Sequence, residues 1–415
     1  MASIQKILTI SLLCFTLLSA SGSNINASAV KKSASFENAL KSGKFSANLK
    51  LFYMIRTFDH IDYDAKALNG SGILKYESGK YHRLRFGLAY YGSHKIGNFY
   101  TRREGIGTSL LQPNGEDIQF LGEAYLQYEN ANMTLKAGRQ QLDTPLLEGN
   151  DQRLVPTVFE AYIIKSADLP NTLVEAGYVK AYSGFASYKS GFNRQERFWG
   201  KEGLGYIYIK NELHKALILK AQYILALSTK TSKGEKIKRR DYQFLSLQYD
   251  IPFGINSYIK TQYLGNDYID EPNSKALGAK ISTELTTKIG IALVYDKIIG
   301  NNLETISSAP LYTDFQQGYG LYEPSTGFGG FMTFKPLKKM ELKLGYAKVG
   351  TNRFDHVDDF TEYLVDLKYM FNAYSKFRLR ASFKDQSKKS EELLHKGLGG
   401  REDREDLRLI YYLSF

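Results

Sequence analysis

Apolar and polar residues alternate along most of the chain with a period of two, the period of a half-buried β-strand. The last such segment ends the chain. Its apolar face carries Leu407, Leu409, Tyr411, Leu413 and Phe415. In a soluble sheet this face would need a second layer, and without one it would promote aggregation. In a lipid bilayer the face is already in a suitable solvent, so the pattern favours a membrane-spanning strand.

Eighteen strands are predicted from this alternation. They span residues 44–57, 70–78, 81–91, 120–129, 132–141, 157–165, 172–180, 203–211, 215–226, 240–250, 254–264, 275–283, 287–296, 326–335, 339–348, 361–371, 375–384 and 404–415. Their connections alternate between short turns, such as 78–80, and long loops, such as 297–325. The predicted fold class is all-β: an 18-stranded antiparallel transmembrane β-barrel with short periplasmic turns and long extracellular loops. The alternative is a secreted all-β protein, but such a fold does not explain why short turns and long loops alternate.

Hydropathy excludes a helical membrane protein. Mean hydropathy is −0.34 and 24% of the residues are charged, which leaves no room for several apolar runs of ~20 residues. The only apolar run, residues 7–18, follows Lys6 and precedes small residues. It predicts a signal peptide over residues 1–29, with cleavage before Val30.

The remaining chain is predicted to form one unit. Residues 30–43 are expected to be a periplasmic lead-in, and residues 44–415 the barrel, because no linker composition divides them. Cys14, the only cysteine, lies in the signal peptide. The mature chain is therefore predicted to have no thiol, disulfide or sulfur-ligated metal.

Basic residues concentrate on one wall of the predicted barrel. The net charge of +12 would suit nucleic acid, acidic lipid or anionic solutes. Strand parity decides among these, since it directs the basic side chains into the lumen and so excludes nucleic acid. The predicted basic ladder is Lys50, Arg56, Arg83, Arg85, Lys343, Lys368, Arg378, Arg380 and Arg408. Asp366 is the one carboxylate assigned to this wall, and the opposite strands are predicted to be less basic. The alternative is that basic residues simply scatter over a polar lumen.

The loop at residues 142–156, loop 3, carries the most distinctive motif. It runs Leu-Asp-Thr-Pro and then Asp-Gln-Arg-Leu-Val-Pro, with Asp143 ten residues before Arg153. Here the chain resembles the OprD-like family of 18-stranded, substrate-selective outer-membrane porins. The resemblance implies that loop 3 folds into the pore and narrows it to an eyelet for carboxylate-bearing solutes. By the motif, Asp143, Asp151 and Arg153 are eyelet candidates, and Glu148 is added from its place at the loop tip. The alternative is a turn cap at Asp143 and a structural ion pair at Arg153.

An enzymatic barrel is the competing class of function. No histidine has metal-ligand spacing and no G-x-S-x-G motif is present. His60 and His356 lie in acidic loop segments where an acid/base pair or a cation site is conceivable, although solvated loop polarity explains them. We therefore expect no enzyme activity, no cofactor and no metal.

The sequence thus predicts a passive, anion-leaning porin in the bacterial outer membrane. Its alternatives are a structural or adhesive barrel and, below that, a rim hydrolase. The expected partners are small anionic or zwitterionic solutes, outer-membrane lipid and lipopolysaccharide. The barrel-assembly machinery is also expected, because a terminal strand closing on an aromatic residue, here Phe415, resembles the segment recognised for assembly. A monomer or a weak homo-oligomer is expected.

Overall fold

The computed structural model describes residues 35–59, 64–101, 108–112, 115–149, 153–183, 202–227, 240–252, 254–268, 272–307, 310–316, 324–351, 359–396 and 403–415. The predicted signal peptide and residues 30–34 of the lead-in lie outside these residues. So do Asp151, His60 and His356.

Eighteen antiparallel strands form one closed barrel, which confirms the predicted fold class. They are β1 (Lys44–Phe58), β2 (Ala65–Glu77), β3 (Leu84–Thr101), β4 (Ile118–Asn130), β5 (Met133–Gln140), β8 (Val158–Ser166), β9 (Thr172–Ser183), β10 (Leu204–His214), β11 (Leu217–Ala226), β12 (Arg240–Asp250), β13 (Ile255–Tyr268), β14 (Ser274–Thr286), β15 (Ile289–Gly300), β16 (Ser325–Phe334), β17 (Met340–Thr351), β18 (Phe360–Met370), β19 (Ser375–Gln386) and β20 (Arg404–Ser414). Two short strands, β6 (Asp143–Thr144) and β7 (Leu147–Glu148), form a hairpin outside the barrel sheet.

The barrel closes between its first and last strands. β1 pairs antiparallel with β20, from Asn48 opposite Ser414 to Phe58 opposite Arg404. The terminal residue extends this pairing, because the Phe415 N–H donates to the Ala47 carbonyl at 3.0 Å. Closure leaves no free edge, which is what the bilayer requires of a sheet.

Burial alternates along the strands as the sequence pattern predicts. In β20, Asp406, Arg408 and Ile410 are buried, while Tyr411 is exposed on the lipid side. Lipid-facing side chains such as Tyr411 lie on the outer surface of the barrel, whereas buried side chains such as Asp406 and Arg408 face the lumen.

The start of β3 differs from the prediction. The strand begins at Leu84 because His82 and Arg83 adopt left-handed backbone conformations, with φ of 49° and 69°. These two residues form a periplasmic turn, and the Arg83 guanidinium donates to Asn130 at 2.7 Å. The assignment of Arg83 to the wall ladder is therefore wrong.

A short helix precedes the barrel. α1 (Phe36–Lys41) begins at the N-cap Ser35 and is fixed to the first periplasmic turn by a hydrogen bond from the Gly79 N–H to the Ala39 carbonyl, at 2.8 Å. A second helix, α2 (Lys388–His395), lies in the last extracellular loop. In the part of the chain that the structure describes, neither helix is long and apolar enough to cross a membrane.

Candidate pore constriction

The hairpin of loop 3 is attached to the wall from inside the barrel. The side-chain oxygen of Gln222, on the lumen face of β11, accepts a hydrogen bond from the Leu146 N–H at 2.8 Å. The side-chain nitrogen of Gln222 donates to the Thr144 hydroxyl, also at 2.8 Å. Leu146 and Leu147 are buried in a cluster with wall residues. A buried amide with both ends bonded therefore fixes the hairpin.

The second half of loop 3 contacts a different part of the wall. The Lys50 ammonium on β1 donates to the Arg153 carbonyl at 3.1 Å, and the Ser71 hydroxyl on β2 donates to the Leu154 carbonyl at 3.4 Å. In the barrel, β11 is the ninth strand, whereas β1 and β2 are the first two. The described parts of loop 3 thus contact nearly opposite sides of the lumen.

A second loop, which was not predicted from the sequence, also enters the barrel. In loop 7 (residues 301–324), both the N–H and the hydroxyl of Thr313 donate to the Asp296 carboxylate on β15, at 2.7 and 3.0 Å. The ring of Phe315 packs on Phe331 with centroids 4.3 Å apart. The two loops meet where the Glu148 N–H donates to the Ser307 hydroxyl at 2.8 Å.

The apolar residues of loop 7 were the available signal. Its described residues include Leu303, Ile306, Leu311 and Phe315, all buried. An extracellular loop surrounded by water has no reason to carry four large apolar side chains so close together, and burial against the wall removes them from water.

Two of the predicted eyelet residues meet in the hairpin, which places Asp143 opposite Glu148. Their exposed carboxylates lie at the base of the hairpin, away from its turn at Pro145 and Leu146. Arg153 is only 8% exposed. Its pKa lies well below its usual range, first because of burial and then because the guanidinium groups of Arg408 and Arg56 are near. Two of its charged neighbours are therefore wall residues.

The basic ladder lies on the lumen face as neighbouring residues of adjacent strands. Arg380 is directly opposite Arg408 on β20 and Asp366 on β18, and Arg378 is opposite Lys368. The predicted members other than Arg83 have the expected strand parity. These members are Lys50, Arg56, Arg85, Lys343, Lys368, Arg378, Arg380 and Arg408.

The prediction that Asp366 alone opposes the ladder is wrong. Asp406 shares the parity of Arg408 and is fully buried between two arginines. Its carboxylate accepts two hydrogen bonds from Arg56, at 2.6 and 3.0 Å, and one from Arg408 at 3.1 Å. Asp366 holds Arg378 in the same bidentate way, with the Nε contact at 2.8 Å. The carboxylates thus fix the arginine side chains, as planar forks paired to carboxylates do.

The opposite wall is also more basic than predicted. Lys220 on β11, Lys260 on β13 and Lys280 on β14 share the inward parity of their strands. They alternate with Tyr223, Ile259 and Ile281, which are exposed to lipid. These lysines were not predicted, although they follow the same strand parity as the ladder.

Comparison with known proteins agrees with this architecture. The family model described as "outer membrane porin, OprD family" matches residues 116–300 of this chain. The match covers a little under half of the 415 residues. No curated protein matches the sequence.

Solved structures match over almost the whole barrel. Acinetobacter baumannii OccAB1 has 15% identity and a TM-score of 0.71, covering 91% of this chain and 97% of its own. Pseudomonas aeruginosa OccK9 (OpdG) has 17% identity and a TM-score of 0.74, covering 91% and 99%. Pseudomonas aeruginosa OpdK, solved with vanillate, has 16% identity and a TM-score of 0.74, covering 91% and 99%. At these identities the likeness is one of fold.

A closed 18-stranded barrel with a lipid-facing apolar surface and a polar lumen defines an outer-membrane porin. Within that class, residues 116–300 match the OprD-family porin model, and the barrel as a whole has the fold of the solved Occ channels of the bacterial outer membrane. The family it resembles consists of porins rather than enzymes.

Proposed function

We propose that this porin prefers anions and conducts small carboxylate-bearing solutes past an eyelet built from loop 3 and the basic wall. The observation that carries the proposal is the cluster of guanidinium groups where loop 3 contacts the wall. Among the described residues, Arg153 lies near Arg56 and Arg408, and Asp406 lies between the two wall arginines. Guanidinium groups brought together in this way lower the energy of an anion at the narrow part of the path.

The members of the ladder would act in two ways. The side chains of Arg378 and Arg380 are 27% and 15% exposed, so their guanidinium groups can touch a solute in the lumen. Arg408 is only 2% exposed and acts through its field. Because Asp366 already orients Arg378, the arginine loses little conformational entropy when a carboxylate binds.

The acidic hairpin of loop 3 would contribute to selectivity. Asp143 and Glu148 stand opposite each other in the hairpin and are exposed, so they can accept the ammonium group of a zwitterionic solute while the wall holds its carboxylate. We include Asp151 in the eyelet by its motif position. The presence of vanillate, a carboxylate, in the solved OpdK structure supports this substrate class.

The outer surface would meet the remaining partners. Phe415 is 62% exposed at the end of the closing strand, where the barrel-assembly machinery can reach it. Lipid-facing aromatic residues and basic extracellular positions suit the outer-membrane lipids and lipopolysaccharide.

Planar-bilayer recordings of the purified protein test the proposal. We expect small single-channel currents and a reversal potential, under a salt gradient, that favours chloride over potassium. Arg153→Ala should reduce this preference. A channel that prefers cations would refute the proposal, and a barrel with no conductance at all would favour the structural or adhesive alternative. Liposome swelling with matched carboxylates, sugars and amino acids then identifies the solute class.

A further inference from the structure

A second group of lumen-facing lysines lies on the periplasmic half of the wall, below loop 7. Lys260 on β13 is directly opposite Lys280 on β14 in the strand register. Like charges directly opposite each other on neighbouring strands are destabilising. Lys220 on β11 lies beside this pair, close enough to act electrostatically on Lys260.

These lysines differ from the arginines of the ladder in what faces them. Among the described residues, Lys220, Lys260 and Lys280 form no salt bridge, whereas Arg378 is paired with Asp366. Lys343, the ladder residue on β17, likewise forms no salt bridge and is counted with this group. Three of the lysines lie over aromatic rings instead. The ammonium nitrogens are 5.7 Å from the Tyr312 ring for Lys260, 5.5 Å from the Tyr258 ring for Lys280, and 3.5 Å from the Phe331 ring for Lys343. A ring face attracts a cation but does not neutralise it.

A cavity of about 310 Å³ adjoins this group. Its charged lining consists of Lys280, Lys335, Lys343, Lys368, Glu284 and Glu341. Each glutamate is paired with one lysine, Lys335 with Glu284 at 2.9 Å and Lys368 with Glu341 at 2.8 Å. Four lysines and two glutamates leave a formal charge of +2, and the two unpaired cations are Lys280 and Lys343.

The cavity lies at the periplasmic exit of the pore. Its lining includes Thr286 and Ile289, which flank the turn between β14 and β15. An anion can therefore enter it from the periplasm without passing the constriction formed by loops 3 and 7.

We propose that this cavity binds compact dianions, such as inorganic phosphate or the phosphate group of a small ester, at the periplasmic exit. A lysine ammonium is a compact charge with three donors that adapts to phosphate, and a dianion between Lys280 and Lys343 would neutralise the two surplus cations. The inference rests on the proposed anion path for its role in transport, but binding from the periplasmic side is a separate property.

Single-channel recordings in potassium chloride, with potassium phosphate added to each side in turn, test this site. We expect phosphate to block the chloride current at lower concentration from the periplasmic side, and acetate, a monoanion, not to block. Lys280→Gln and Lys343→Gln should each raise the half-blocking phosphate concentration about fivefold, which corresponds to about 1 kcal/mol.

A matched control separates this site from the general charge of the lumen. Lys376 also faces the lumen near the periplasmic end, with its ammonium 4.4 Å from the Tyr412 ring. Lys376→Gln should leave the phosphate block unchanged, and Lys280→Arg should retain it.

The inference is overturned by equal block with acetate, by a block that survives both glutamine variants, or by equal weakening in Lys376→Gln. The reversal potential is read in the same recordings. A cation preference would refute the proposed function, whereas a phosphate block lost only in the Lys280 and Lys343 variants would still support the exit site.

Discussion

Removal of the Asp296 carboxylate should release loop 7 from the wall. This carboxylate accepts two hydrogen bonds from Thr313, at 2.7 and 3.0 Å, inside a lumen where it is 1% exposed. A hydrogen bond to a charged group contributes about 1.5–3 kcal/mol. Loss of both hydrogen bonds would weaken the attachment of loop 7 to the wall by about 3 kcal/mol or more. The detached fraction of the loop would then rise by about two orders of magnitude.

Other contacts limit the effect of Asp296→Ala. The Gln316 N–H still donates to Glu362 at 3.1 Å, and Phe315 still packs on Phe331. We therefore expect brief openings to a larger conductance rather than permanent removal of the constriction.

Single-channel recordings of Asp296→Ala measure this directly. Openings to a larger conductance should be about 100-fold more frequent than in the unmodified channel. The matched control is Asp250→Asn, which removes a lumen-facing carboxylate at the periplasmic end of β12 that is bonded by Gln248 rather than by a loop. Unchanged current noise and conductance in Asp296→Ala would refute the role of this carboxylate in holding the loop.

Three further substitutions test the wall and loop 3. Asp406→Asn should destabilise the barrel by about 3 kcal/mol, because the buried Arg408 and the partly buried Arg56 would lose the carboxylate that they share. Thermal unfolding in detergent measures this, and an unchanged midpoint would contradict it. Arg378→Ala should slow carboxylate uptake in liposome swelling several-fold while leaving neutral sugars unaffected, and equal slowing of both solutes would argue against direct contact. Gln222→Ala should free the loop 3 hairpin and widen the pore, seen as faster swelling with large sugars; a size limit identical to that of the unmodified channel would count against this anchor.

Strand number and side-chain direction were predictable from sequence because the bilayer imposes them. A lipid-facing charge is costly, so Arg378 and Arg380 had to alternate with apolar residues, and the parity of a single strand fixed their direction. The turn at Arg83 was not predictable from alternation, since a left-handed conformation at two non-glycine residues interrupts the strand without changing its pattern.

The loops that contact the wall from inside the barrel were only partly predictable. Loop 3 had a recognisable motif, whereas loop 7 had only its buried apolar residues and the acceptor Asp296 on a distant strand. Contacts between a loop and the wall join residues far apart in the chain, so no local pattern reveals them. Asp406 was overlooked for a different reason: its parity was visible, but its pairing with Arg56 depends on barrel closure.

The central claim is that positive charge at the constriction makes the channel prefer anions. The most direct measurement is the reversal potential of the purified protein under a potassium chloride gradient, compared with that of Arg153→Ala. We predict chloride preference in the unmodified channel and a smaller preference in the variant. A cation preference that persists unchanged in Arg153→Ala would contradict the account.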